Sequence, residues 1–374
     1  MRRLLDSIAN PRLRAQIVKE MLSILRDPRS RMIVFLPPLM QLMIFTFATT
    51  LEVRNANIAI YNQDAGRWSH ELQARVGAAD FVNRLYTVQD PAQLRDLIDR
   101  RKVIAALDMG PEFSRDIAAG GSGTVQVIVD GRRSNAGQIA VGYLNAIAAD
   151  VGSTARGQAA PISSVVVRHW FNPNLIYRWF VVPALSGILV FFSALMITSL
   201  SIARERELGT FDQLLVSPTT TREIIIAKTV PALAIGTVLG LMMMAAAAFV
   251  FGVPFTGSFL LLLPSLLLFI LSVVGIGLMI SSVSATQQQA ILGAFAIGVP
   301  AVLMSGFATP VENMPLLLQW MAQGIPLTHF LVIVEGSFLK AMPPAVVLAN
   351  IWPLAVIALI SLATATALVR SRLQ

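Results

Sequence analysis

Residues 259–283, FLLLLPSLLLFILSVVGIGLMISSV, form a twenty-five-residue run without one charged side chain. At ~1.5 Å per residue, a helix of that length exceeds the ~30 Å hydrocarbon core of a bilayer. Five other runs read the same way: 32–51, 179–202, 229–251, 290–307 and 346–369. In lipid every backbone N–H and C=O must find a partner inside the protein, so such runs commit the chain to helices. Composition agrees. Of 374 residues 55% are hydrophobic and 13% charged, about half the ~25% charged share of a soluble domain. No ionisable side chain falls within the six runs, which argues against a carrier driven by an ion gradient. Gln41 and scattered Ser and Thr are among their polar groups, suited to bonds between helices. Pro183, Pro231, Pro264 and Pro300 mark places where runs two to five can bend.

Between the first and second runs the character changes. Residues 52–178 hold 14 Lys/Arg and 12 Asp/Glu. Short β-rich stretches (NIAIY, VIAAL, VQVIV, SVVVR) alternate there with helical patterns near 68–79, 91–101, 112–119 and 134–150. In the last of these Ile139, Tyr143, Ile147 and Val151 recur every four residues. Alternating strands and helices predict an α/β domain. The loop AAGGSG at 118–123 matches no phosphate-binding pattern. Before the first run, residues 12–27 place Leu13, Ile17, Met21, Ile24 and Leu25 on one helical face and Arg14, Lys19 and Arg26 largely on the other. That is an amphipathic helix suited to a membrane surface, stopped by Pro28. About thirty residues precede the first run and no A-x-A cleavage pattern follows it, so it reads as an uncleaved span.

Charge sets the orientation. The first 31 residues carry eight Lys/Arg, segment 203–228 four and the tail 370–374 two, whereas the short segments of the opposite side carry one, Lys340. The positive-inside rule puts both termini in the cytoplasm and the α/β domain outside. Trp170, Trp179, Trp320 and Trp352 then fall near the outer boundary, as an aromatic belt requires. The net charge of +8 is cytoplasmic anchoring and not a nucleic-acid footprint. Residues 308–345, with several prolines and Glu312, His329, Glu335 and Lys340, read as re-entrant or interfacial helices on the outer side. Glu312, His329 and Glu335 either gate an outer mouth or cap the re-entrant helices.

Segment 203–228, ARERELGTFDQLLVSPTTTREIIIAK, carries eight charges, four of each sign, between two uncharged runs. Eight charges at ~2.5–3.5 kcal/mol each exclude it from the bilayer centre. Leu208, Phe211, Leu214 and Leu215 recur on one helical face, and Glu205 and Asp212 on another. Pro218 ends this first helix, and Thr220 to Glu223 is a capping box for a second. The expectation is a rigid two-faced elbow, either a docking site for another protein or a surface helix whose charges stay wet.

The chain has no cysteine, three scattered histidines and no Gly-Lys pair. Disulfides, thiolate metal sites and a P-loop are excluded. No nucleophile–base set is visible in 52–178.

Four ordered motifs resemble the ABC-2 type permeases, the membrane subunits of ATP-binding-cassette exporters. They are KEMLSILRDPRSR (19–31), FNPNLIYRWFVVP (171–183), the stretch from Ala203 to Pro218, and TPVENMPLLLQW (309–320) with IPLTHF (325–330). The resemblance covers essentially the whole chain and is nearest to the multidrug export branch with a large outer domain. It implies a polytopic α-helical membrane protein of six transmembrane helices, with the α/β extracytoplasmic domain inserted between helices 1 and 2. It implies a bacterial inner membrane, a second permease copy or homologue, and a separate ATP-binding subunit that uses ATP and Mg2+. This chain would bind no cofactor or metal and have no catalytic site of its own. An adaptor protein of the periplasm is a further implied partner. Glu205, Arg206, Glu207, Gly209 and Thr210 would transmit ATPase closure. Spans two and five would line the substrate path, here carrying Phe191, Phe192, Met196, Phe295, Met304 and Phe307; for each residue the alternative is plain packing or lipid contact. The alternatives at the level of function are a self-sufficient secondary transporter, or a membrane-anchored sensor or partner-binding protein.

Overall fold

The computed structural model describes residues 11–26, 28–48, 55–130, 134–155, 171–172, 176–211 and 220–372. By contact the chain divides into two compact units, Thr49–Arg168 and the remainder.

Helix α1, Pro11–Leu25, is the amphipathic segment. Leu13 is fully buried, Ile17 and Met21 are half-buried, and Arg14 and Lys19 are exposed. Pro28 opens the next helix, α2 (Pro28–Ala48), where its missing N–H costs nothing. The apolar part of α2, Val34–Phe47, is shorter than the other apolar helices and contains Pro37 and Pro38.

The second unit holds β1 (Ala56–Asn62), α3 (Arg67–Gly77), β2 (Val82–Val88), α4 (Pro91–Asp99), β3 (Ala105–Met109), α5 (Phe113–Ala118), β4 (Val125–Val129) and α6 (Ser134–Ala155). The sheet order is β2-β1-β3-β4, with β1 parallel to both neighbours and β4 antiparallel to β3. Side chains alternate across β1 and β3. Ile58, Ile60 and Leu107 pack with residues of α3, α5 and α6 on one face, and Ala59 and Ala106 pack with Leu94 of α4 on the other. On α6 the fully buried positions are Ala140, Leu144 and Val151. The apolar stripe therefore turns with the 3.6-residue period, and Tyr143 is left at the rim, 4.9 Å from the Phe81 ring. Strand β2 has no counterpart in the sequence reading; its residues VNRLYTV lie at a sheet edge with only Val88 buried. The predicted strand SVVVR lies outside the described residues.

The remaining helices are α7 (Tyr177–Glu207), α8 (Thr221–Ala245), α9 (Phe259–Val283), α10 (Gln287–Met304), α11 (Leu316–Gln323), α12 (Pro326–Leu339) and α13 (Pro344–Arg372). Helix α8 continues as a π-helical turn, Ala246–Val250. Among the described residues, α7, α8 with its π-helical turn, α9, α10 and α13 are long and apolar enough to cross a membrane; the pair α11–α12, bent by 78°, makes a sixth if it counts as one span. Helices α7 to α10 run on through their prolines.

Helix α9 sits at the centre, packed on α7, α8, α12 and α13. Two glycines let it approach its neighbours. A Cβ on Gly277 would lie 1.8 Å from Thr198 Oγ1 of α7, and one on Gly275 would lie 2.0 Å from Ser361 Oγ of α13. Close backbones bring polar groups into reach: Ser272 Oγ donates to the Leu354 carbonyl at 2.8 Å. Phe269 stacks on Phe330 of α12, with ring centroids 4.1 Å apart and planes 4° from parallel.

Candidate functional site

The last turn of α7 holds Glu205, Arg206 and Glu207. Carboxylates at a helix C-terminus sit at the unfavourable end of its dipole, so other groups must hold them. Each acid here finds positive charge on a different element. Glu207 Oε2 accepts from the Gln287 N–H at 2.7 Å, at the first residue of α10, where the helix dipole favours an anion. Arg206 does the converse at the end of α9. Its Nη1 donates to the carbonyls of Ser282 (2.7 Å) and Ser284 (3.1 Å), where a dipole favours a cation. Its guanidinium also lies over the Phe211 ring, 5.0 Å from the centroid. One turn of α7 thus brackets the α9–α10 connection with a cation on one side and an anion on the other. Ser281 Oγ adds to the joint by accepting from the N–H groups of Ile202 (2.8 Å) and Ala203 (3.0 Å).

Glu205 turns the other way. Its Oε2 lies 2.9 Å from Lys228 Nζ, and its Oε1 lies 3.9 Å from Lys19 Nζ of α1. Lys228, on α8, also reaches Glu20 Oε1 of α1 at 3.4 Å and Ser201 Oγ at 3.2 Å. The Lys228 side chain is 2% exposed and that of Glu205 13%. A buried ammonium persists only when paired and hydrogen-bonded, and here carboxylates from two helices supply the pairing.

Helix α7 stops because of Gly209, at φ +69°. The Gly209 N–H donates to the Arg206 carbonyl and the Thr210 N–H to the Glu205 carbonyl, each at 3.0 Å, which is a Schellman stop. The helix therefore ends eleven residues before Pro218, at Glu207, so Leu208 and Phe211 do not share one helical face. Leu208 is exposed, and Phe211 is buried beneath Arg206. Leu214, Leu215, Asp212 and Pro218 lie outside the described residues. Leu208, Gly209 and Thr210 form the exposed tip. The capping box is present at the start of α8: Thr220 Oγ1 accepts from the Glu223 N–H at 3.3 Å, and Glu223 Oε2 accepts from the Thr220 N–H at 2.7 Å.

Of the candidate path residues, Phe191 is buried, and its ring meets Phe192 edge-on at 5.6 Å. Phe192 reaches Phe295 of α10 at 6.1 Å, while Met196, Met304 and Phe307 are half-buried. Phe295 is half exposed, beside Leu292 and Ile297 on the same exposed stretch of α10. Of the outer-mouth candidates, His329 is buried and donates through Nε2 to the Gln323 carbonyl at 2.9 Å, bracing the bend between α11 and α12. Glu312 is exposed in a 3-10 turn, Val311–Asn313, and Glu335 is half-buried on α12. Trp320 and Trp352 are exposed, Trp179 is half-buried, and Trp170 lies outside the described residues. Among the described residues no three His, Asp or Glu side chains converge as a metal site.

The sequence reading missed Lys228 and Glu20 as members of the site. They are 208 residues apart, and no local pattern pairs them. The available signal was a lysine placed directly before an uncharged run, and a glutamate flanked by the basic residues of α1.

Residues 29–367 match the model of a family described as ABC-2 family transporter protein. The chain is 42% identical over 365 residues to the Escherichia coli (strain K12) protein called probable multidrug ABC transporter permease YbhR, covering 97% of this chain and 99% of that one. It is 30% identical over 359 residues to the protein of the same strain called probable multidrug ABC transporter permease YbhS, covering 91% and 92%. The inner membrane transport permease YhhJ, also of that strain, is 32% identical over 246 residues, 64% of this chain and 65% of its own length.

Proposed function

Because the chain belongs to the ABC-2 transporter family, we propose that it is the permease subunit of an ATP-binding-cassette exporter in a bacterial inner membrane. A separate chain hydrolyses ATP with Mg2+ and docks at the tip of α7. One observation carries this reading: three consecutive ionic side chains on one turn of α7 tie it to α8, α9 and α10 at once. A load applied at that turn reaches half the bundle. That is a poor arrangement for an anchor and a suitable one for a subunit moved from outside.

On this reading the ATPase meets the exposed Leu208, Gly209 and Thr210, while Glu205, Arg206 and Glu207 pass the movement inward. Both termini and the α7 tip lie in the cytoplasm, and the α/β domain lies outside, where an adaptor protein of the periplasm is its expected partner. A second permease covers the exposed face of α10. The exported compound is apolar or amphipathic, a reading supported by the Phe192–Phe295 ring contact and by the multidrug wording in the names of similar proteins. Aromatic and methionine side chains repack around varied apolar ligands.

Purification from native membranes in mild detergent tests this. The full chain is expected to bring down an ATP-hydrolysing partner and to have no ATPase activity alone. Recovery of the chain with no such partner, together with ion-driven uptake by the chain alone in liposomes, would refute it. At the site, Leu208→Asp is expected to reduce the recovered partner at least fivefold; unchanged recovery removes the tip as the contact.

A further inference from the structure

The seam between α1 and α8 is unusual for a helix contact beside a membrane. It is built on charge. Lys228, nearly fully buried, is shared between Glu205 at the end of α7 and Glu20 on α1, while Lys19 of α1 closes on the other oxygen of Glu205 from the rim. The same residues, with Gln16, Ile224 and Ala227, line a narrow cleft of about 20 Å3. Gln16 Oε1 is buried in that seam without a hydrogen-bond partner among the described residues, a condition that costs ~1–3 kcal/mol. Replacing buried ion pairs by well-packed apolar side chains is often neutral or stabilising, so charge here is weak as a means of stability. This one has two acids sharing Lys228, with Lys19 at the rim and an unpartnered acceptor beside them, so a small slip of α1 along α8 exchanges one set of polar contacts for another.

We propose that Lys228 is the pivot through which movement at the end of α7 passes to α1, with Glu205 a positioning residue on that seam and not a contact to the ATPase. Three elements meet at the Lys228 ammonium, so a shift of Glu205 must be answered by Glu20. Helix α1 leads directly into α2, which packs on α7. The pivot therefore links the end of α7 to a helix further along the same bundle by a second route. This inference rests on the permease reading.

The absence of cysteine makes a clean test. Gln16→Cys with Ile224→Cys places one thiol on each side of the cleft, in the full permease–ATPase complex. The rate of cross-linking by a short bismaleimide is compared in the nucleotide-free and vanadate-trapped states. We expect at least a fivefold difference between the states, and at least a fivefold fall in ATP hydrolysis once the pair is linked. Lys228→Arg in that background should keep the difference; Lys228→Met should abolish it while the ATPase subunit is retained at the wild-type ratio. If Lys228→Met fails to fold, the charge-free triple variant Lys228→Met, Glu205→Gln and Glu20→Gln takes its place with the same expectation. Equal cross-linking rates in the two states overturn the proposal, as does loss of the ATPase subunit on neutralising Lys228, which would make the cluster a docking surface. A wild-type chain that carries no ATPase at all sinks the permease reading and this inference with it, an outcome distinct from either of the others.

Discussion

Each unit of this chain buries a charged side chain, and the two do so in different ways. In the α/β unit one such group is Asp64. Its carboxylate accepts from the Ser114 N–H at 3.1 Å and from the Ser114 hydroxyl, and Ser114 Oγ in turn accepts from the N–H groups of Trp68 (3.1 Å) and Ser69 (3.2 Å) in the first turn of α3. Every partner is neutral, and Ser114 comes from α5, fifty residues along the chain. In the helical unit it is Lys228, held by carboxylates from two other helices. Neutral donors fix an acid without bringing a second charge into the core. Opposed ions bind distant elements together, and the bond lasts only while each partner stays put. The first solution keeps a single charge among neutral donors, and the second ties three helices through one ammonium.

Four outcomes would break or sharpen that contrast. Lys228→Met removes the ammonium that Glu205 and Glu20 share, and loss of one partner of a buried pair costs ~3–5 kcal/mol. A large fall in the thermal midpoint of the helical unit in detergent is expected, with hydrogen exchange in the α/β unit unchanged. If both units loosen together, the ties are not confined as described. Gly277→Ala asks whether steric ties are equal to ionic ones. A Cβ there collides with Thr198, and overpacking costs ~1–3 kcal/mol. A fall in midpoint as deep as that of Lys228→Met would remove the special status of the charges.

Asp64→Asn probes the neutral scaffold. Burial pushes the Asp64 carboxyl up, but bonds from the Ser114 hydroxyl, Ser69 and the backbone of Ser114 and Gly66 outweigh it and hold the carboxyl below its ordinary value. A depressed acid stabilises the fold above its unfolded value of about 3.9, and that contribution disappears as pH falls through the lower folded value. The variant should therefore lose ~1–2 kcal/mol at neutral pH, read as faster exchange in the first turn of α3, and match the wild type in strong acid. A deficit that persists in strong acid would mean that shape, not charge, was lost. Smallest of all, Lys19→Met removes a rim partner that is 65% exposed and 3.9 Å from Glu205. Exposed pairs contribute ~0–1 kcal/mol, so little change in midpoint is expected; a deep fall would extend the cluster to the surface.

What the sequence made legible follows the range of the forces involved. The apolar runs that become α7 to α10 and α13 depend on each residue's own transfer into lipid, and they are readable without any partner. So is the Thr220–Glu223 capping box, whose two bonds span three residues. The end of α7 was half legible. Gly209 was visible as a glycine, but the apolar spacing of Leu208, Phe211 and Leu214 pointed through it, and only the backbone at φ +69° shows that the helix has already stopped. Strand β2 escaped because a sheet edge places no strong apolar demand on its residues. The Lys228 cluster escaped for a different reason. Its members obey no period, and a lysine facing Glu20 across the fold looks, in sequence, like one more anchoring charge.

The stack of Phe269 on Phe330 bears on how the bent pair α11–α12 can respond to its neighbours. Two flat rings in near-parallel face contact glide over one another with little loss of contact, but tilting opens a wedge between them and forfeits dispersion along one edge. Helix α12 therefore meets α9 across a sliding plane. Shear along the rings costs such a contact less than rotation does, and lateral slip is how packed helices rearrange without unpacking.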